Sequence, residues 1–535
     1  MTFPTRRQFL SLCAAYLSSG PLVSHAEDHL DNLPLGISHD FSWAGLLEHA
    51  RKTALQPYQA PISPEPGIIE RIDWDAHGQI QFNMDHALFA DGPGDYPIAF
   101  FHPGKFFPFP VHMYRLEQAL TSRQSATQAQ EILFNKKLFH MPANSPAQEL
   151  NQPVGFAGFR IQENREGTGP NWRSNDWAAF LGASYFRAIG DEYQYGISAR
   201  GVSINTLVDH QKEEFPLFTH FYFEPPQPGS HDVSLYALLD GPSLTGAYHF
   251  IMSRGNGVTT EVEAELFLRR DISRFGLAPM TSMYWFSDKD KRFQEDWRPE
   301  VHDSDGLSMW TGNDEHLWRP LINPRETDIS YFSDENPKGF GLMQRERHFS
   351  QYQDAVHYEK RPGLWVEPLN AWGKGTVQLI ELHTEEELYD NVVAAWVPDQ
   401  PARAGSHHHL HYRLYWQADT PFPNHLARCI GTHIGRGGEP AHRPADSHKF
   451  EVTFSGGDLF HLAEGSIPEA VVTPSRGHVA NVACEAVPNG EPGQWRALFD
   501  LTGLHQGRDP VDIRLFLRQG TNTLSETWLY HFLPA

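Results

Sequence analysis

The sequence predicts an all-β protein built of two β-sandwiches, and three observations support this fold class. Apolar and polar residues alternate with a period of two in several segments, as they do in strands with one buried face. The 43 glycines and 40 prolines are spread along the 535 residues and indicate frequent turns. Helical periodicity is convincing in one segment, and no repeat at a fixed period is visible, which excludes propellers and solenoids.

The first predicted element is a helix over residues 41–55. Asp40 is in place to cap its N-terminus. Four residues spaced at helical intervals share an apolar face, namely Leu46, Leu47, Ala50 and Ala54.

The clearest strand runs over residues 261–268. Four apolar residues alternate there with glutamates and a phenylalanine: Val262, Ala264, Leu266 and Leu268. Segment 247–252 joins this strand through Arg-Gly-Asn-Gly at residues 254–257, where glycine and asparagine tolerate positive φ, so an antiparallel hairpin is predicted. The same alternation recurs over residues 412–416, 450–454 and 513–517, which we interpret as strands of a sandwich.

The first 26 residues are predicted to be a twin-arginine export signal. Arg6 and Arg7 lie within Thr-Arg-Arg-Gln-Phe-Leu, an apolar stretch follows, and Ser24-His25-Ala26 is typical of a cleavage site. We therefore expect the twin-arginine translocase as a partner during export and the periplasm as the destination. No later stretch approaches 18 apolar residues, so stable insertion into a membrane is not expected.

The chain is strongly acidic. Its 66 Asp and Glu residues against 43 Lys and Arg residues give a formal net charge of -23, which repels nucleic acid and anionic lipid. A neutral partner is favoured, and 14 Trp, 18 Tyr and 35 Phe residues supply rings for a core and for a sugar cleft.

A domain boundary is predicted at residues 398–405, where prolines and a glycine interrupt an apolar strand and precede a new series of strands. The first domain would span residues 27–398. The second would span residues 402–535, a length suited to one immunoglobulin-like sandwich. Cys429 and Cys484, the two cysteines after the leader, make no disulfide framework, and we expect the fold not to depend on a bridge between them.

Four histidines follow this boundary, His407, His408, His409 and His411, and such tracts can bind transition metals. We interpret them as a solvated linker, because adjacent residues of an extended chain point to opposite faces and no CxxC or HExxH motif accompanies them. The sequence also lacks GxSxG, GxGxxG and P-loop patterns. No metal and no cofactor are therefore predicted.

Two acidic segments are suited to carboxylate chemistry. In the first, residues 299–310, Asp303 and Asp305 share a face if the segment is extended. In the second, Asp390 precedes the apolar run 392–397, where desolvation favours the protonated carboxyl that a general acid needs. Spacing alone does not show that the two segments meet.

Several dispersed segments, in order along the mature chain, carry a family resemblance. They include Gly-Ala-Ser-Tyr-Phe-Arg-Ala, His-Asp-Ser-Asp and Arg-Pro-Gly-Leu-Trp-Val-Glu-Pro, and they lie at residues 182–188, 194–201, 278–283, 302–305, 336–342, 361–368, 372–375 and 526–530. Together they resemble the osmoregulated periplasmic glucan biosynthesis proteins. The family has two branches, G and D, and the twin-arginine leader makes this chain similar to the D branch.

The resemblance implies an N-terminal galactose-mutarotase-like β-sandwich, a C-terminal immunoglobulin-like β-sandwich and action on glucans with a β-1,2-linked backbone. The family includes inverting endo-glucanases. Carried over onto matching positions, the general acid falls on Asp390 and the general base on Asp303. Asp305, two residues along and on the same face of an extended segment, is the alternative base. Around the pair we expect side chains that orient hydroxyls and sugar rings: Asp305, Asp354, Tyr358, Arg361, Trp365 and Glu387.

Two alternatives from other classes remain open on the same fold. One is a non-catalytic glucan-binding scaffold that holds glucan for an inner-membrane glucan synthase. The other is a glucan transglycosylase or a mutarotase-like isomerase.

Overall fold

The computed structural model describes residues 32–91, 95–121, 124–165, 171–227, 229–289, 296–439, 441–444, 446–504 and 509–534. The predicted leader, residues 1–26, lies outside the described residues. Strands dominate this part of the chain, and none of its helices is long and apolar enough to cross a membrane. The all-β fold class predicted from the sequence is confirmed.

The α-helices of the described residues are α1 (Trp43–Ala54), α2 (Pro66–Ile69), α3 (Trp74–Gly78) and α4 (Phe349–Tyr352). Short 3-10 helices lie at Met84–His86, Lys136–Leu138, Pro146–Glu149, Trp172–Ser174, Tyr358–Lys360 and Gly457–His461. The strands up to residue 286 are β1 (Leu35–Asp40), β2 (Gln81–Phe82), β3 (Ile98–Phe101), β4 (His112–Thr121), β5 (Gln124–Ile132), β6 (Phe139–His140), β7 (Gly158–Gln162), β8 (Asp176–Leu181), β9 (Tyr185–Ala188), β10 (Ser198–Arg200), β11 (Val202–Ile204), β12 (Leu217–Phe223), β13 (Asp232–Asp240), β14 (Leu244–Gly255), β15 (Gly257–Leu268), β16 (Phe275–Ser282) and β17 (Tyr284–Phe286). The later strands are β18 (Val301–His302), β19 (Gly306–Trp310), β20 (His316–Pro320), β21 (Asp328–Glu335), β22 (Gly339–Met343), β23 (Gly363–Pro368), β24 (Lys374–Glu381), β25 (Val392–Pro398), β26 (His407–Gln417), β27 (Arg428–Arg436), β28 (His448–Ser455), β29 (Glu469–Pro474), β30 (His478–Ala486), β31 (Gln494–Thr502), β32 (Val511–Gln519), β33 (Asn522–Thr523) and β34 (Thr527–Phe532).

Two large sheets share the main core. The larger sheet runs in the order β1-β5-β4-β12-β13-β14-β15-β26-β23-β22-β19-β20, and the second runs β21-β24-β25-β16-β10-β9-β8-β7-β3. Side chains from both enter one core, and the rings of Phe186 on β9 and Phe250 on β14 lie 5.4 Å apart edge to face. The first unit is therefore a β-sandwich.

The second sandwich shares a sheet with the first. Strand β34 pairs in parallel with β20, so the larger sheet continues through β34, β32 and β29. The four-stranded sheet β27-β28-β31-β30 packs on this continuation around Phe450, Phe499 and Trp528. The C-terminal unit is thus a second, smaller sandwich joined edge to edge with the first.

The domain boundary predicted at residues 398–405 falls one strand too early. Strand β26, which follows it, pairs with β15 on one side and β23 on the other, both in the first sandwich. The turn-rich segment at 398–405 connects β25 to β26, that is, one sheet of the first sandwich to the other. The second sandwich begins with β27.

The predicted hairpin is confirmed, and its turn shows why glycine is needed. Gly255 pairs with Gly257 around Asn256, and Gly257 has a positive φ of +86. A side chain does not fit at Gly257, because its Cβ would lie 2.1 Å from the carbonyl oxygen of Trp416. The predicted helix forms as α1, but its cap was assigned wrongly. Ser42 accepts the N–H of Gly45 at 3.0 Å, while Asp40 is the last residue of β1.

Both described cysteines are free, as expected of a fold that does not depend on a bridge. Cys429 lies on β27 and Cys484 on β30, with β28 and β31 between them. Three strand spacings of about 4.8 Å separate the two edges by about 14 Å, twice the roughly 7 Å that a disulfide spans between Cα atoms.

Candidate active site

Asp303 lies at the end of β18, a short strand that pairs with β17. Its N–H donates to the carbonyl of Met283 at 2.8 Å, and its carboxylate accepts a hydrogen bond from Nη1 of Arg361. The residue is 4% exposed. The Asp303 carboxylate is therefore buried and oriented by one guanidinium.

A chain of polar contacts extends from Asp303. The guanidinium of Arg361 lies 4.1 Å from the ring centroid of Tyr358, whose hydroxyl donates to Oε2 of Glu387 at 3.0 Å. The same oxygen accepts from Nη1 of Arg298 at 2.6 Å. Burial disfavours the charged form of Arg361, but the Asp303 carboxylate outweighs it and raises the pKa of Arg361. Four predicted site residues are thereby brought together, and Arg298, which was not predicted from the sequence, joins them.

Asp390 lies two residues before the buried strand β25 and is 8% exposed, as the apolar run after it predicted. Its neighbour Asn391 fixes the position. The Asn391 side chain accepts the N–H of Tyr284 at 2.8 Å and donates to the carbonyls of Tyr284 at 2.9 Å and Leu382 at 2.8 Å. Asn391 was also missed, although it immediately follows the predicted acid.

The two predicted catalytic segments therefore meet on consecutive residues. Asp303 bonds to the main chain of Met283, and Asn391 bonds to that of Tyr284. Strand β16 adds to this arrangement, because Ser282 pairs with Val392 of β25. The fold thus places the acidic segments, far apart in sequence, on either side of one short stretch of chain.

A cavity of about 1040 Å³ opens beside Asp390. Its wall combines acidic, amide and imidazole groups with aliphatic ones: Leu207, Val208, Asp209, His210, Gln211, Glu213, Thr327, Ile329, Leu382, His383, Thr384, Glu385, Glu386, Tyr389, Asp390 and Asn391. Its volume is at the upper end for a small-ligand site. Another cavity, of about 650 Å³, is lined mainly by rings and aliphatic groups and includes none of the predicted site residues.

Two further predicted residues, Asp305 and Asp354, accept hydrogen bonds from main-chain N–H groups. Asp305 accepts the N–H groups of Arg345 and Glu346, each at 2.9 Å, so its carboxylate braces the main chain. Asp354 accepts the N–H groups of Val356 and His357, and its charge helps to raise the pKa of Arg361, behind the larger contribution of Asp303.

Trp365 does not line the site. It is 2% exposed on β23 and belongs to the core that also contains Trp318 and Met343. The prediction that its ring orients a sugar is therefore wrong for this structure, since no ring face is available. The alternation along β23 turns this side chain into the core.

A buried network supports the segment that carries Asp303. His302 Nε2 lies 2.7 Å from Oε2 of Glu300, and its Nδ1 lies 2.9 Å from Oε1 of Gln344. Burial disfavours the imidazolium, but Glu300 outweighs it and raises the pKa of His302; burial also raises the pKa of Glu300. This network was not predicted from the sequence.

Arg345 connects this region to the C-terminal sandwich. The main-chain N–H of Arg345 donates to the carboxylate of Asp305. Its guanidinium donates to both carboxylate oxygens of Glu526, at 2.5 and 3.0 Å, and to the carbonyl of Cys429 at 3.0 Å. The guanidinium also lies 3.5 Å from the ring centroid of Trp318. One arginine thus contacts the acidic segment and two elements of the second sandwich.

Comparison with known proteins agrees with the resemblance drawn from the residues. The family model described as "Periplasmic glucan biosynthesis protein, MdoG" matches residues 41–532. Glucans biosynthesis protein D 2 of Ralstonia nicotianae is 54% identical over 504 residues, covering 94% of this chain and 92% of the relative. Glucans biosynthesis protein D of Stenotrophomonas maltophilia is 43% identical over 533 residues, covering 99% and 97%. The protein of that name from Xanthomonas campestris pv. campestris is 42% identical over 539 residues, covering 99% and 98%.

Proposed function

The chain belongs to the family of periplasmic glucan biosynthesis proteins and is similar to its D branch, and from this premise we propose that it is an inverting endo-β-1,2-glucanase of the periplasm. Its role in periplasmic glucan biosynthesis would be to cut the β-1,2-linked backbone. The observation that carries the proposal is the meeting of the Asp303 and Asp390 segments on Met283 and Tyr284.

The chemistry follows from what an acetal requires. Cleavage of a glycosidic bond needs a proton for the leaving oxygen and an activated water on the opposite face of the ring. Asp390, at the cavity wall, is the proposed general acid, and Asp303 is the proposed general base. The family resemblance implies a relay in which a substrate hydroxyl or a water passes the proton towards the base.

The residues around the pair have separate tasks in this mechanism. Arg361 orients the Asp303 carboxylate, and Tyr358 and Glu387 hold Arg361 and Arg298 in one polar chain. Asn391 fixes the main chain next to Asp390. The mechanism uses no metal and no cofactor. The proposed partners are the glucan, the twin-arginine translocase during export and an inner-membrane glucan synthase.

The test is incubation of the purified mature protein with linear β-1,2-glucan, followed by chromatography of the products. A hydrolase only shortens the chains. A transglycosylase lengthens some chains while it shortens others, and a scaffold leaves chain length unchanged. Proton NMR of the first products adds the stereochemistry, because an inverting enzyme releases the α-anomer from a β-linked substrate. Release of the β-anomer, or no shortening, would refute the proposal.

A further inference from the structure

The histidine tract lies in a strand and not in a linker, which corrects the sequence-based interpretation. Residues 407–411 open β26, which pairs in antiparallel fashion with β15. In this register Phe267 faces His407, Glu265 faces His409 and Glu263 faces His411. Because side chains alternate along a strand, three of the four histidines share one face with the glutamates of β15.

We call this face the His–Glu ladder: Glu261, Glu263 and Glu265 of β15 with His407, His409 and His411 of β26. Glu265 contacts two imidazoles, His407 Nε2 and His409 Nδ1, the latter at 2.8 Å. Glu261 contacts His411 Nε2 at 2.8 Å.

Glu263 is the exception in the ladder. In the part of the chain that the structure describes, its carboxylate has no hydrogen-bond or ion-pair partner, although it is half-buried between the strands of β14 and β26. One ligand atom each from Glu263, Glu265 and His409 lie within 4.8 Å of one another. Two carboxylates so close on one face repel each other, and a cation between them would relieve this repulsion.

We propose that Glu263, Glu265 and His409 bind a divalent transition-metal ion of the Zn²⁺ class. Imidazole nitrogen and carboxylate oxygen are both ligands for Zn²⁺, and three protein ligands with one water are a common set. Ligand atoms at about 2.0–2.2 Å from a tetrahedral ion lie about 3.3–3.6 Å from one another. Side-chain rotations that shorten the distances between the three ligand atoms by little more than about 1 Å would therefore complete the site. This mixture of nitrogen and oxygen ligands suits Zn²⁺ better than Ca²⁺, which takes six to eight oxygen ligands.

His407 completes the arrangement as a positioning residue. Its Nε2 bonds to one oxygen of Glu265, and its ring stacks on Phe267 with centroids 4.7 Å apart. Such contacts orient a ligating carboxylate. A bound ion would cross-link β15 and β26, two strands whose residues are about 140 positions apart in sequence, and the site contains none of the residues proposed to cleave glucan.

The test is titration of the untagged mature protein with ZnCl₂ by calorimetry, with a thermal unfolding scan at each end of the titration. The wild-type chain is expected to bind one ion saturably and to unfold at a higher temperature when loaded. Glu263→Gln and His409→Gln are expected to lose this binding, and His407→Gln to weaken it by about tenfold. Glu263→Gln removes no contact in the described structure, so it should fold as the wild type does.

His411→Gln is the matched control, because this histidine lies on the same strand and face but contacts Glu261. It should bind Zn²⁺ as the wild type does. The proposal is overturned if the wild type shows no saturable binding, or if Glu263→Gln binds as tightly as the control. Circular dichroism of every variant shows whether a loss of binding reflects a loss of folding.

Discussion

Asp303 and Asp390 are both buried, and they are proposed for opposite roles in proton transfer. Asp303 is held by a guanidinium, whereas Asp390 lies between a cavity and a buried strand. A base must be ionised and an acid protonated at the start of the reaction. Asp→Asn substitution keeps the shape of each side chain and removes this chemistry.

We expect Asp303→Asn and Asp390→Asn each to lower turnover on β-1,2-glucan by about 100-fold or more, the size of effect of a general acid or base. Binding of glucan should survive in both. On an aryl glucoside with a good leaving group, if one is accepted, Asp390→Asn should retain more activity than Asp303→Asn, because only the acid becomes dispensable. Steady-state kinetics on both substrates provides the measurement, and full activity of either variant on glucan would exclude the assignment.

Asp305→Asn tests the alternative base and serves as the control. Its carboxylate accepts two main-chain N–H groups, so we expect a smaller loss of turnover than at Asp303, accompanied by a lower unfolding temperature. A larger loss of turnover than in Asp303→Asn, with unchanged stability, would move the base to Asp305.

At the scale of elements, a buried ion pair joins the two large sheets. Arg319 of β20 contacts Glu381 of β24 at 2.7 Å, and a second oxygen of Glu381 accepts the N–H of Ile322 at 2.7 Å. Both side chains are almost fully buried, and burial raises the pKa of Glu381 although Arg319 opposes it. Removal of one partner leaves the other as an uncompensated buried charge.

Glu381→Ala is therefore expected to destabilise the first sandwich by about 3–5 kcal/mol. The double variant Arg319→Met/Glu381→Leu should recover most of the loss, because it removes both charges and fills the space. Urea denaturation monitored by tryptophan fluorescence compares the three proteins. Equal stability of the single variant and the wild type would show that the pair contributes little.

Local elements could be predicted from the sequence where a residue pattern is typical of a single kind of structure. The glycines and asparagine at residues 254–257 correctly predicted the β14–β15 hairpin, in whose turn Gly257 adopts a positive φ. Turn residues such as those at 398–405 occur both between domains and between strands of one domain. In the structure they connect the two sheets of one sandwich. The histidine tract was misinterpreted for the same reason, since a wrong boundary made a strand resemble a linker.

The site could be predicted in part. Asp303 was predicted from its acidic segment and from the family resemblance. Tyr358, Arg361 and Glu387 were predicted as groups around the catalytic pair, and the structure brings these four residues together. Their contacts could not be inferred, since they join segments distant in sequence. Trp365 shows the limit of residue type as evidence, because an aromatic ring serves a core as well as a sugar cleft.

At the scale of the whole molecule, an imidazole joins the two sandwiches. His531 of β34 lies 2.7 Å from Asp512 of β32 and 3.4 Å from Asp328 of β21, in the second sheet of the first sandwich. Burial disfavours the imidazolium, but the two carboxylates outweigh it and raise the pKa of His531 to about 9. Asp328 has the opposite shift, because His531 lowers its pKa against the effect of burial.

Stability from this contact should depend on pH in a defined direction. A raised pKa in the folded state gives stabilisation that is complete below the ordinary value of 6.5 and is lost as the pH rises through about 9. We expect the unfolding temperature of the wild type to fall between pH 7 and pH 10 more than that of His531→Gln. The exposed His425→Gln serves as control and should follow the wild type. Identical profiles for His531→Gln and wild type would contradict the expectation.

The predicted twin-arginine signal would export the chain as a folded whole. If Arg6 and Arg7 form a twin-arginine signal, replacement of both by lysine should leave an unprocessed precursor in the cytoplasm, because that translocase carries folded substrates and reads the arginine pair. Immunoblots of periplasmic and cytoplasmic fractions provide the measurement. Mature protein at the normal periplasmic level would indicate the general secretory route instead.

Under the proposed function, the contacts of Arg345 would link glucan binding to the docking of the second sandwich. One side of this residue braces Asp305, two positions from the proposed base, and the other carries the carboxylate of Glu526. If docking raises the affinity for glucan by some factor, glucan must raise the affinity of docking by the same factor. The smaller sandwich would then act as an effector that is covalently attached to the enzyme, and its removal would alter catalysis without any loss of a reacting group.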